Sequence, residues 1–183
     1  MMKNVYVFFA EGFEEIEALT VVDLLRRADV PVKMTGIAGK GNVTGSHGIV
    51  VGMDESVEEV SLDETEMLVL PGGMPGTRYL GACETLVSLL KEADERKIRI
   101  GAICAAPSIL GDLGFLNGRK AVCYPGFEER LTGAEVLTEQ AVTDGHITTS
   151  RGLGTAIPFA LEILALLKGK AEADRIAASV IYR

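Results

Sequence analysis

The sequence predicts an α/β fold with a mostly parallel sheet and helices on both faces. Two observations carry this. Short continuous apolar runs rich in β-branched residues alternate with amphipathic helical stretches along the whole chain. Such runs suit strands buried on both faces, which βαβ units produce. The 183 residues, 48% of them hydrophobic, are enough for one domain (1–183) with its own core.

Each element follows from its pattern. Residues 5–9 (VYVFF) read as a buried strand, broken at Gly12. A helix is expected over 14–28, with Glu14 and Glu15 in its first turn and Arg26 and Arg27 in its last, as the macrodipole favours. Residues 31–37 form a second strand. The Gly-rich segment 39–52 reads as a hairpin excursion. Residues 67–70 (MLVL) are a buried strand running into the loop Pro71-Gly72-Gly73-Met74-Pro75-Gly76. A helix over 86–96, a strand over 98–103 and a helix over 105–113 follow. Residues 121–123 and 147–149 read as short strands. Helices over 155–167 and 171–180 close the chain, separated at Gly169.

The strongest chemical signal is the junction Ala102-Ile103-Cys104-Ala105-Ala106-Pro107. A buried strand stops and a helix starts almost at once. Gly101, Ala102, Ala105 and Ala106 are small, as a sharp strand-to-helix turn requires. Reactive nucleophiles sit on such turns, at the carboxyl edge of the sheet where ligands gather. A helix N-terminus is expected to lower the thiol pKa of Cys104. The plainer reading of a free cysteine, a small buried hydrophobe, suits Cys83 and Cys123.

The nucleophile needs a proton partner. The two histidines, His47 and His146, both read as surface-loop residues, so a Cys–His pair is not expected. Glu17 is the alternative. It lies on the apolar stripe of Val21, Leu24, Leu25 and Ala28, where a carboxylate must be paired. It serves a salt bridge, a water-exposed helix end or a site. Next to Cys104, the two groups would share one proton, with the carboxyl protonated and the sulfur a thiolate. The N–H groups of Gly73 and Ala105 could form an oxyanion hole, though an ordinary tight turn also explains the Gly-rich loop. Arg151, after the last strand, could meet an anionic substrate or a carboxylate of the protein.

Composition excludes several classes. A net charge of -8 argues against a broad nucleic-acid or anionic-membrane footprint. No apolar run reaches the ~18 residues of a membrane span. The N-terminal Met1-Met2-Lys3-Asn4 leads into a strand without a signal-peptide pattern, and the odd count of three cysteines suits a reducing compartment; a cytoplasmic location is expected.

Together these residues resemble the ThiJ/PfpI superfamily, specifically its parkinsonism-associated deglycase (DJ-one) branch. The resemblance spans nearly the whole chain. It rests on Glu11-Gly12-Phe13-Glu14-Glu15-Ile16-Glu17, Asp23-Leu24-Leu25-Arg26-Arg27-Ala28, Leu70-Pro71-Gly72-Gly73, the Cys104 junction and Thr149-Ser150-Arg151-Gly152-Leu153-Gly154-Thr155. It implies a flavodoxin-like three-layer sandwich, a homodimer, and no metal or organic cofactor. It matches Cys104 to the family nucleophile, Glu17 to its partner, and Gly73 and Ala105 to the oxyanion-hole amides. It implies action on methylglyoxal, glyoxal or their early adducts with proteins and nucleotides. Redox sensing with a chaperone role through an oxidisable cysteine is the alternative. Two departures stand out. Tyr124-Pro125 occupies the place of a His-Pro pair in many relatives, leaving Tyr124 as a substitute hydrogen-bonding group. Ala105 replaces the histidine of the peptidase branch, which speaks against a PfpI-type peptidase.

Overall fold

The computed structural model describes residues 3–183; Met1 and Met2, part of the N-terminal segment read above, lie outside them. A seven-stranded sheet in the order β10-β11-β7-β6-β1-β2-β5 forms the middle layer. Its strands are β1 (Asn4–Phe9), β2 (Val32–Gly36), β5 (Glu55–Ser56), β6 (Thr65–Leu70), β7 (Arg99–Ile103), β10 (Ala141–Asp144) and β11 (Ile147–Ser150). All neighbours run parallel except β10, which turns back on β11 through Asp144, Gly145 and His146.

The alternation of side chains along each strand feeds two separate cores. Val5, Val7 and Phe9 of β1, Met67 and Val69 of β6, and Ile103 of β7 face one side. There they meet α1 (Glu15–Arg27), α5 (Ala156–Lys168) and α6 (Lys170–Ser179). Tyr6, Phe8, Leu68, Leu70, Ile100 and Ala102 face the other, against α2 (Gly76–Ala82), α3 (Glu84–Glu95) and α4 (Pro107–Asp112). This is the expected three-layer sandwich: strands apolar on both faces, because helices cover both. Phe9 and Phe13 pack edge to face, with centroids 4.8 Å apart.

The excursion over 39–52 is a hairpin of β3 (Asn42–Thr44) and β4 (Val50–Gly52). Three expectations change. The strand expected at 121–123 is reduced to β8 (Lys120–Ala121), paired outside the main sheet with β9 (Glu135–Val136). The Val122 N–H is taken instead by the Thr149 hydroxyl at 3.0 Å. The helix expected from 105 begins only at Pro107, because Cys104 to Ala106 make the turn. Helix α2 was hidden by its two glycines and the preceding Pro75. It forms because Leu80 is fully buried and the Thr77 N–H closes on the Gly73 carbonyl at 2.8 Å.

The strand order places the site. From β1 the chain moves outward to β2, then crosses back to β6 on the other side of β1. The carboxyl ends of β1 and β6 therefore border a crevice, where open α/β sheets bind ligands.

Candidate active site

Three segments converge on that crevice. Helix α1 follows β1 and brings Glu17. The Gly-rich loop follows β6. Cys104 follows β7. Hydrogen bonds tie them: the Glu14 N–H donates to the Gly72 carbonyl at 2.9 Å, and the Gly76 N–H to the Gly12 carbonyl at 3.3 Å. Gly73, at φ +92°, lies against Gly12 and Phe13; a Cβ there would come within 2.6 Å of the Gly12 oxygen.

Cys104 adopts the left-handed conformation, φ +67°, which a non-glycine residue holds only when its surroundings impose it. Its N–H donates to the Ser150 carbonyl at 3.0 Å, and its carbonyl accepts from the Tyr124 N–H at 2.8 Å. The end of β11 and the loop at Tyr124 thus clamp the turn. The N–H groups of Ala105 and Gly73 are near enough to the sulfur to favour its anion.

Glu17 is 1% exposed, as its place on the apolar stripe implies. Its Oε2 accepts the Gly72 N–H at 2.9 Å, and its carboxyl lies in hydrogen-bonding reach of the Cys104 thiol. Gly72 leaves the space for this meeting. A Cβ there would stand 2.5 Å from the Cys104 Cβ and 2.6 Å from Glu17 Oε2.

Burial dominates the electrostatics. It raises the Glu17 carboxyl to about 7, against the lowering hydrogen bonds from Cys104 and Gly72. It also raises the Cys104 thiol to about 12, aided by the Glu17 charge and opposed by the Ala105 and Gly73 amides. These causes act against the lowering expected from the helix start alone. The turn supplies two amides, but burial and a neighbouring carboxylate outweigh them. Burial disfavours charge on either member, so the carboxyl and the thiol compete for protons.

The cleft over Cys104 has a volume of about 390 Å³, and Glu14, Glu17, His47, Gly73, Ala105, Tyr124 and Leu153 help line it. Five of the six residues singled out in the sequence meet there. Arg151 does not: it lines an adjoining groove with Tyr124 and Leu153. Tyr124 is half exposed, and its hydroxyl has no hydrogen-bond partner among the described residues. A larger cavity of about 530 Å³, between Phe9, Ile37, Val43 and Tyr79, offers no comparable chemistry. Its one carboxylate, Glu11, accepts the Thr44 N–H at 3.2 Å.

Sequence reasoning passed over His47. It is a surface residue of the hairpin, but its ring turns back to this cleft. Glu15, placed at the edge of the apolar stripe, is 2% exposed and binds that ring. Glu14, Glu15 and His47 bring ligand atoms within 4.8 Å of one another, the one group of metal-ligand spacing among the described residues. His146, unlike His47, is not a surface residue; its side chain is 8% exposed and meets Asp94 at 2.8 Å, and burial lowers its pKa.

Residues 3–166 match the model of the DJ-1/PfpI family. The chain belongs to that family. DJ-1/PfpI relatives align over its full length. Protein dj-1beta of Drosophila melanogaster is 34% identical over 183 residues, covering 99% of this chain and 98% of the relative. Its crystal structure superposes with a TM-score of 0.95 over 100% of both chains. Protein DJ-1 homolog A of Arabidopsis thaliana is 35% identical over 99% of this chain, which spans about half (47%) of that relative's length. A protein of Pyrococcus abyssi named a deglycase is 32% identical over 167 residues, covering 90% of this chain and 99% of the relative. No described helix is long and apolar enough to cross a membrane.

Proposed function

We propose that this DJ-1/PfpI protein is a cysteine-dependent glyoxalase or deglycase that works without a cofactor, with methylglyoxal, glyoxal or their early glycation adducts as substrates. The observation that carries this is the Glu17–Cys104 pair. A buried carboxyl near pKa 7 touches a thiol on a strained turn beneath two amides. The relative named a deglycase supports the same chemistry.

Glu17 is a base poised at working pH. As the Cys104 sulfur attacks the aldehyde carbon, Glu17 takes the thiol proton. The Gly73 and Ala105 amides steady the developing alkoxide. Glu17 then returns the proton to that oxygen, giving a neutral hemithioacetal. With the carboxylate free again, Glu17 removes the hydrogen from the former aldehyde carbon. The resulting enediol reprotonates at the neighbouring carbon, and water releases a 2-hydroxy acid from the thioester.

The redox-sensing alternative uses the same sulfur, but it needs a thiolate at rest. Burial and the Glu17 charge oppose a resting thiolate, and the base beside the sulfur suits turnover. We read the chain as a single domain and a cytoplasmic homodimer. The apolar groove of Ile16, Leu19, Ile157 and Val180 is a surface suited to pairing. Tyr124, in the cleft, and Arg151, in the groove beside it, are the residues placed to contact larger adducts.

The test is methylglyoxal-to-lactate turnover in wild type, Cys104→Ser and Glu17→Gln. Both variants are expected to be inactive. Undiminished turnover in either removes its residue from the mechanism. Adduct loss faster than consumption of free aldehyde distinguishes deglycation from glyoxalase activity.

A further inference from the structure

Three ionisable groups have no part in this scheme: Glu14 and His47, which line the cleft, and Glu15, which binds the His47 ring from behind it. Their arrangement is specific. One oxygen of Glu15 accepts the His47 backbone N–H at 2.7 Å, and the other meets His47 Nδ1 at 2.9 Å. A single buried carboxylate therefore fixes both the backbone and the ring. Gly45 makes room for it, since a Cβ there would lie 2.5 Å from Glu15 Cγ. The Ser46 hydroxyl adds a contact to Nδ1 at 3.0 Å. Glu14 Oε1 lies 3.6 Å from Nδ1 and is buried without a hydrogen-bond partner. Nε2 has no partner among the described residues, and the 66% exposed side chain lines the same cleft as Cys104 and Glu17.

An exposed ion pair stabilises little and needs no such fixing. A buried carboxylate that holds Nδ1 and leaves Nε2 free is how an imidazole is oriented for proton transfer. We propose that His47 is a second catalytic acid–base residue of this site, donating from Nε2 to the second oxygen of a 1,2-dicarbonyl substrate, with Glu15 as its positioning residue. The inference rests on the function proposed above and narrows its substrate class to vicinal dicarbonyls and their hemithioacetals.

The balance of the step is simple. Glu17 takes the hydrogen of the former aldehyde carbon as a proton. That electron pair forms the carbon–carbon double bond. The ketone's π pair moves to its oxygen, which takes the Nε2 proton, and an enediol results. The hydroxyl on sulfur-bearing carbon then returns a proton to Nε2 as its carbonyl forms. Glu17 delivers its proton to the neighbouring carbon. No electrons leave the substrate, and no oxidant is needed.

Every charged group around the ring favours the acid role. Glu14, just before α1, and Glu15, its first residue, face it, and Glu17 shares the cleft. The hydrogen bond to Glu15, then the charges of Glu14 and Glu15, raise the His47 pKa above 6.5. Burial alone would raise Glu15, but the His47 ring and backbone N–H groups outweigh it and hold the carboxyl at about 2.

The experiment is the pH profile of kcat and kcat/KM for methylglyoxal in wild type, His47→Gln, Glu15→Gln and Cys104→Ser. In wild type kcat/KM is expected to fall as pH rises through the His47 pKa. His47→Gln should lose that alkaline limb and about a hundredfold in kcat at pH 7, the size of a general acid's contribution. Glu15→Gln should move the limb to lower pH. Cys104 alkylation should be unchanged in His47→Gln, which separates lost chemistry from a distorted cleft. An unchanged pH profile in His47→Gln, with Cys104→Ser inactive, overturns this inference and leaves the function standing. Turnover in Cys104→Ser overturns both.

Discussion

Glu17→Gln should make the protein inactive and more stable, with a gain that depends on pH. The carboxyl rises from 4.5 to about 7 on folding. At about 1.4 kcal/mol per tenfold change, that is about 3 kcal/mol. The sign follows from proton counting. Below pH 4.5 the carboxyl is protonated in both folded and unfolded chains, and Gln has no advantage. Between 4.5 and about 7 only the folded chain keeps the proton, so wild-type stability falls as pH rises. Above 7 the full penalty is present. Gln is isosteric, and its amide oxygen can still accept the Gly72 N–H. Denaturant unfolding of both proteins from pH 4 to 8.5 reads the difference directly. It should grow from near zero to about 3 kcal/mol across the titration. A flat difference, or a variant less stable than wild type at pH 8, refutes the assignment of a strained, functional carboxyl.

Other consequences follow from the same geometry. Wild-type kcat/KM should show an acid-side limb near pH 7 as Glu17 ionises, read from initial rates of lactate formation across pH. Gly72→Ala places a methyl 2.5 Å from the Cys104 Cβ, so overpacking should cost about 1–3 kcal/mol and turnover should collapse; denaturation midpoints and lactate formation check both. Leu90→Ala, at a fully buried position of α3, should cost about 2–5 kcal/mol while leaving the native rate of Cys104 alkylation unchanged.

The sandwich was legible because its strands announce themselves. Runs such as Val5 to Phe9 are apolar on both faces, and only helices above and below explain that. Glu17 was legible by contrast, as one carboxylate on an otherwise apolar stripe. The elbow at Cys104 was legible from its small neighbours. What stayed hidden depends on distant contacts. Nothing in the hairpin's sequence says that His47 folds back onto α1. The bond between residues 15 and 47 exists only because β3 and β4 are docked by the Gly12 N–H on the Thr44 carbonyl and the Ser46 N–H on the Phe13 carbonyl, both at 2.8 Å. The direction of the thiol shift was hidden for the same reason. A helix start is visible locally, whereas burial and the approach of Glu17 are properties of the assembled crevice.

That shift decides how the cysteine can be used. A thiolate at rest would react with any electrophile or oxidant that reached it. Where burial opposes the thiolate, the sulfur gains nucleophilicity as a carbonyl carbon draws its electrons and Glu17 takes its proton. Reactivity is then coupled to a substrate that fills the cleft and to amides already aimed at its oxygen. The left-handed backbone at Cys104 and the buried charge of Glu17 both oppose folding. Their persistence is best explained by what they achieve together: a nucleophile selective for small carbonyls. If pH-dependent alkylation showed Cys104 ionised at pH 6 in the wild type, this coupling would be lost, and redox sensing would become the better use of the same residue.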